Sequence, residues 1–161
     1  MEIEMTIKGL MIDPITNMPI IVLRDGEGER ILPIWVGVFE ANAIALQIEN
    51  VRTPRPMTHD LLRSVIENLS ARVERVVVCE LKENTFYAKI HLLSGEDAHT
   101  IDARPSDAIA LALRTSSPIF VDEAVIQNAK GVDASTDSMD VERVRKWLEG
   151  LSEEELGKYK M

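Results

Sequence analysis

Hydrophobic and polar positions alternate from the first residues. Ile3, Met5 and Ile7 interleave with Glu2, Glu4, Thr6 and Lys8, the period of a half-buried β-strand. The apolar run from Pro19 to Leu23 predicts a second strand. A third, Arg30 to Trp35, follows the turn Asp25-Gly26-Glu27-Gly28-Glu29. That turn is not a phosphate loop, because the Lys-Ser/Thr pair and the helix that should follow it are both missing. Phe39 to Ile48 predicts a nearly all-apolar helix whose alanines let another element pack close. Asn50 to Met57, with Pro54 and Pro56, is a rigid connector. A second helix is predicted from Thr58 to Leu69, with Leu61, Leu62, Val65, Ile66 and Leu69 as its apolar stripe.

Val73–Leu81 and Thr85–Leu93 flank Lys82-Glu83-Asn84 and predict a hairpin. Ser94 to Asp97 is the next turn, and Thr100 to Ala103 a further strand. A helix is expected over Ser106–Arg114, a short strand over Pro118–Val121 and a short helix after it. Residues 130–138 have loop composition. Beyond them Val141, Val144, Trp147 and Leu148 make one apolar helix face, and Ser152 with Glu155 forms a capping-box pattern. The expected fold is α+β: a mixed sheet of about seven strands packed with three main helices. Residues 1–130 form the domain, and 131–161 a helical C-terminal extension of it.

Two echoes run through this pattern. Ala43-Ile44-Ala45-Leu46 recurs as Ala108-Ile109-Ala110-Leu111, a possible internal duplication. Arg55-Pro56-Met57-Thr58-His59-Asp60 and Arg104-Pro105-Ser106-Asp107 each place Arg-Pro, a hydroxyl residue and an aspartate at a helix start. Capping explains the proline, the hydroxyl and the aspartate. It leaves the arginines unexplained, and a helix start beside an arginine suits an anion.

The 161 residues carry a net charge of −9, which argues against indiscriminate binding to polyanions. Residues 51–76 run the other way: Arg52, Arg55, Arg63, Arg72 and Arg75 outnumber Asp60, Glu67 and Glu74. A nucleic acid partner would meet this basic middle. Cys79 is the single cysteine, so no intrachain disulfide or thiolate zinc site forms, and a reducing compartment is expected. The N-terminus lacks a signal-peptide pattern and no apolar run approaches the roughly 20 residues of a membrane span, so the cytoplasm, without a membrane partner, is the expected location.

No strong catalytic motif is present. Of the histidines, His91 falls in a strand and His99 near a turn, whereas His59 stands beside Asp60 at a helix start. Those neighbours point about 100° apart around a helix, so a shared site needs carboxylates from elsewhere: Glu40, and Asp102 or Asp107. Metal-assisted phosphodiester hydrolysis needs carboxylate or imidazole ligands and a cation near the phosphate. His59, Asp60 and Glu40 are the catalytic candidates. Asp107, Asp60 and Glu40 would hold Mg2+ or Mn2+, and Arg55, Arg104, Thr58 and Ser106 would bind substrate. Each also has a structural explanation: capping for Asp60 and Asp107, a helix-end charge for Glu40, core hydrogen bonding for His59.

The runs Leu32-Pro33-Ile34-Trp35-Val36-Gly37, Glu40-Ala41, Arg55-Pro56-Met57-Thr58-His59-Asp60-Leu61-Leu62, Thr85-Phe86-Tyr87-Ala88 and Asp102 to Ala112 together resemble the bifunctional nuclease domain family, in order, over about residues 1–130. The resemblance implies nuclease activity on DNA and/or RNA, with Glu40, Arg55, His59, Asp60, Arg104 and Asp107 inside the shared motifs. The alternative is a non-catalytic module that binds phosphate, a nucleotide or nucleic acid. A homodimer or higher homo-oligomer is a further expectation.

Overall fold

The computed structural model describes residues 1–28 and 30–133. Seven strands and four helices follow one another: β1 (Glu2–Ile12), β2 (Pro19–Asp25), β3 (Ile31–Trp35), α1 (Val38–Ile48), α2 (Thr58–Asn68), β4 (Arg72–Lys82), β5 (Thr85–Ser94), β6 (Asp97–Ala103), α3 (Pro105–Thr115), β7 (Ile119–Asp122) and α4 (Glu123–Asp133). The strands form one mixed sheet in the order β3-β2-β1-β7-β4-β5-β6. β7 runs antiparallel to β1 and parallel to β4; every other pairing is antiparallel. The fold is therefore α+β, as the sequence pattern predicts.

The topology repeats itself. A three-stranded meander followed by a helix occurs twice, as β1-β2-β3-α1 and as β4-β5-β6-α3, in mirrored order on either side of β7. The Ala-Ile-Ala-Leu echo lies in the two helices that end these units. α3 is the central helix and packs on α1, α2, β4 and β5. Ala108, Ile109, Ala110, Leu111 and Ala112 are all buried, as in a helix surrounded by other elements. Its small side chains let α1 and α2 approach from both sides, which brings the starts of the three helices together.

Local chemistry fixes the frame around those starts. Glu83 and Asn84, with φ of 51° and 62°, make the two-residue turn between β4 and β5. Positive φ at both positions matches the right-handed twist of the flanking strands. Asp13, buried after β1, accepts hydrogen bonds from Ile15 N (2.9 Å), Thr16 Oγ1 (2.8 Å) and the Trp35 indole Nε1 (2.8 Å). Burial opposes its ionisation, but these donors outweigh it and hold the carboxyl below the usual range. This clamp ties the β1–β2 turn to the end of β3, two residues before α1 begins to form at Gly37.

Three expectations change. β6 starts at Asp97, because the turn before it is tighter than its polar composition suggests. Part of the predicted 130–138 loop is helix, since α4 runs to Asp133; the helices predicted beyond residue 133 lie outside the described residues. The third change bears on the site. Of the α2 stripe only Ile66 is buried, while Leu61 is 57%, Val65 47% and Leu69 71% exposed. α2 rests mainly on α3, and an apolar groove stays open between it, β5 and β6. Among the described residues no helix is long and apolar enough to cross a membrane.

Candidate functional site

Glu40 occupies the third position of α1, whose N-cap is Gly37. Its carboxylate folds back over the helix start, and a Cβ on Gly37 would collide with Glu40 Oε2. The glycine leaves room for this carboxylate, which a Cβ would displace; its φ of −71° is an ordinary one. In this position Glu40 Oε1 accepts a 2.7 Å hydrogen bond from Arg104 Nη2.

Arg104 ends the β6 connection and is itself the N-cap of α3, with Pro105 in the first turn. Three residues on, Asp107 Oδ2 accepts from Arg104 Nε at 2.9 Å. One guanidinium therefore bridges two carboxylates. The Glu40 bond first, and then Asp107, raise its pKa above the ordinary arginine value. The other oxygen of the same carboxylate, Asp107 Oδ1, lies 2.9 Å from His59 Nε2, at the start of α2. Glu40, Arg104, Asp107 and His59 thus form one continuous polar chain across three helix starts. The His59 side chain is only 10% exposed, whereas that of Arg104 is 64% exposed.

Asp60, the next residue, belongs elsewhere. Its Oδ2 accepts from Met57 N at 2.9 Å, and its Oδ1 from Arg114 Nε at 2.7 Å. Burial opposes ionisation here too, but the Met57 N–H and the Arg114 guanidinium overcome it and leave the pKa below the usual carboxylate range. Arg114 is buried and also donates to Ala110 O and Ala43 O, both at 2.9 Å. It ties α1, α2 and α3 together from behind. Sequence reasoning missed it: a basic residue in the last turn of a helix is ordinarily explained by the helix dipole, and nothing local marks it as buried.

The remaining candidates separate. Arg55 is exposed in the connector before α2, where Thr53 Oγ1 donates to its carbonyl at 2.8 Å. Thr58 lines the apolar groove. Ser106 is buried, so its hydroxyl is not presented to a ligand. Neither Thr58 nor Ser106 is an N-cap; Met57 and Arg104 hold those places, and Asp60 Oδ2 accepts from the Met57 N–H. His91 faces Thr100 on the sheet at 3.4 Å, away from this cluster.

Two cavities flank the first turn of α2. The apolar groove, about 580 Å³, reaches His59, Asp107 and Arg104 at one end. On the Asp60 side lies a polar pocket of about 330 Å³ lined by Arg52, Arg55 and Arg114 among others. The donor set does not fit a resident divalent ion as it stands. Arg104 occupies the space between Glu40 and Asp107, Asp60 is bound by Arg114, and among the described residues no three His, Cys, Asp or Glu side chains are grouped to hold a metal.

Comparison with known proteins places these residues in a family. An uncharacterized protein of Mycobacterium tuberculosis (strain CDC 1551 / Oshkosh) is 42% identical over 126 residues, 78% of this chain and 75% of that protein. Bifunctional nuclease 1 of rice (Oryza sativa subsp. indica) is 29% identical over 112 residues, 67% of this chain but 34% of the rice protein. Bifunctional nuclease 1 of Arabidopsis thaliana is likewise 29% identical over 110 residues, 34% of its length. The family profile described as the bifunctional nuclease domain matches residues 21–133, a span that contains Glu40, His59, Asp60, Arg104, Asp107 and Arg114. The chain belongs to the bifunctional nuclease domain family.

Proposed function

We propose that this protein hydrolyses phosphodiester bonds in DNA, RNA or both, with His59 as the proton-transferring group. The observation that carries the reading is the continuous chain Glu40–Arg104–Asp107–His59 at the end of an open groove. The 2.9 Å contact of His59 Nε2 with Asp107 Oδ1 suits the tautomer protonated at Nε2, which leaves Nδ1 as the acceptor. A base oriented in this way takes a proton from the attacking water. The oxygen of that water bonds to phosphorus, the bond to the leaving oxygen breaks, and the leaving oxygen takes a proton from solvent. The exposed Arg104 guanidinium offers N–H groups to the charge that develops on the phosphate. No step is assigned to a metal, although Mg2+ or Mn2+ belongs in the assay.

The purified protein tests this on labelled single-stranded RNA and DNA, with Mg2+, with Mn2+ and with chelator. Cleavage that falls at least a hundredfold in His59→Ala supports the assignment, on the order expected for a general base. Cleavage that survives both His59→Ala and Asp107→Asn overturns it, and no cleavage in any preparation overturns the enzymatic reading. The non-catalytic alternative draws its support from the Arg52–Arg55 pocket, which is rich in charge and whose carboxylate, Asp60, is already bonded to Met57 N and Arg114. The expected homo-oligomer is supported by the uncovered apolar face of α2 beside the edge strand β6; light scattering of a strict monomer would remove it.

A further inference from the structure

We propose that Arg52 and Arg55 form a phosphate-binding pocket on the Asp60 side of α2, a second point at which single-stranded nucleic acid is held. The choice of nucleic acid as the polymer rests on the nuclease reading; the affinity for phosphoryl groups does not.

The charge balance of the pocket is the first argument. Three guanidinium groups, of Arg52, Arg55 and Arg114, line it against the single carboxylate of Asp60. Asp60 is already committed to Arg114 Nε and Met57 N. Among the described residues neither Arg52 nor Arg55 makes an ion pair. A concentration of unneutralised positive charge is out of character for a chain of net charge −9. Such a concave basic site raises the local concentration of anions.

Shape and rigidity are the second. The volume of about 330 Å³ suits a small anionic group, at the lower end of the roughly 300–1,000 Å³ typical of ligand pockets. Pro54 and Pro56 restrict the connector on either side of Arg55, and Thr53 Oγ1 donates to Arg55 O at 2.8 Å. The loop is therefore ordered before a ligand arrives, which lowers the entropic cost of binding. Ser64 and Gln47 line the same pocket, and both residue types carry neutral donors.

Placement is the third. His59 lines the groove and Asp60 lines the pocket, although they are neighbours in sequence. A strand crossing the first turn of α2 meets the pocket on one side and the His59–Asp107 pair on the other. The pocket holds one phosphate, and the next part of the strand is presented to the groove.

The test is fluorescence anisotropy of a labelled single-stranded oligonucleotide over a salt series. It compares the wild-type protein with the double variant Arg52→Ala/Arg55→Ala, with circular dichroism confirming that both are folded. The expected result is about a tenfold loss of affinity, with a log–log salt slope shallower by about 0.7, the value for one lost phosphate contact on a single strand. The double lysine variant retains most of the slope. Unchanged affinity and slope in the alanine variant overturn the proposal. Two further arms fix the source of the phosphoryl group. Inorganic phosphate shifts the backbone NMR signals of residues 51–57 in the wild type and not in the alanine variant; no shift overturns the pocket. A nucleoside 5′-monophosphate binds more weakly than the oligonucleotide; equal affinity overturns the polymer in favour of a free nucleotide. Because no arm measures cleavage, an inactive protein that binds in this way removes the nuclease reading and leaves the pocket standing.

Discussion

Arg104 stands at the N-cap of α3, three residues before Asp107. Arg55 stands two residues before the N-cap of α2, five residues before Asp60. The two aspartates occupy the same helical position, the third, and the arginines do not. That offset of two residues separates their fates. From the N-cap, Arg104 reaches back to its own helix's aspartate and on to Glu40, and both carboxylates neutralise it. Arg55 is too far outside α2 to do so, and Asp60 is taken by Met57 N and by Arg114 from another helix. A shared motif thus produces an arginine neutralised by two carboxylates at one helix start and, among the described residues, one without an ion pair at the other. An arginine before a helix is informative about ligands only once its distance from the N-cap is known.

The largest effect should come from the residue that frees Arg55 by occupying Asp60. Arg114→Met leaves Asp60, Ala43 O and Ala110 O without their buried partner. The expected cost is about 3 kcal/mol, the lower end for breaking a buried pair because Asp60 is partly solvated. Urea denaturation measures it. Arg104→Met should cost no more than about 1 kcal/mol, since that bridge lies at the surface. A reversal of this order would mean that the two helix starts have been assigned the wrong roles.

The next effect is on turnover. His59→Ala is expected to lower cleavage by about 10²-fold or more, and Asp107→Asn by at least about tenfold, through loss of the group that orients the imidazole. Asp60→Asn, compared per folded molecule, should retain most activity because its carboxylate faces Arg114 and not the groove. Single-turnover rates at saturating oligonucleotide separate these variants from any loss of binding. Equal damage from Asp60→Asn and His59→Ala in well-folded protein would overturn the division between the two sides of α2.

Much of this molecule was legible in its sequence, and what was hidden was hidden for a physical reason. Alternation and turn residues marked the strands, since each depends on neighbours in the chain. Residue type alone makes Glu40, His59 and Asp107 candidates for one site, but their convergence depends on how α1 and α2 pack on α3, which no local pattern encodes. Arg114 was invisible because its three partners come from three helices. The α2 stripe misled in the other direction: Leu61, Val65 and Leu69 have the spacing of a buried face, yet periodicity says only which side is apolar, not what covers it. Thr58 and Ser106 looked like caps by type, but the helices begin one residue earlier in one case and two in the other.

Acid should act on the two helix starts unequally. The folded pKa of Asp60 lies below its unfolded value, so the folded state binds its proton less readily. Its stabilising contribution is present above the unfolded value, about 3.9, and is lost as pH falls through the folded one. The stability gap between wild type and Asp60→Asn should therefore be constant near neutral pH and close on acidification through and below about pH 4. Asp13 behaves in the same direction and makes the wild-type loss steeper than Asp60 alone would give. A gap that widens in acid would contradict the assigned bonds.

The smallest effect is also the most direct conversion of one helix start into the other. Glu40→Gln removes one of the two charges that neutralise Arg104 while keeping the side chain's size. Gly37→Ala does so by displacement, because the added methyl group occupies the place of Glu40 Oε2. Its backbone φ of −71° suits alanine, so its stability cost should stay near that of a weaker N-cap, about 1 kcal/mol. In both variants Arg104 becomes more like Arg55. Oligonucleotide affinity should rise about threefold, the size of one exposed charge contact, with a slightly steeper salt dependence. Anisotropy titrations at two ionic strengths measure both quantities. If affinity falls in both variants, Glu40 orients Arg104 toward the phosphate instead of neutralising it, and the contrast between the two arginines has to be drawn from geometry and not from charge.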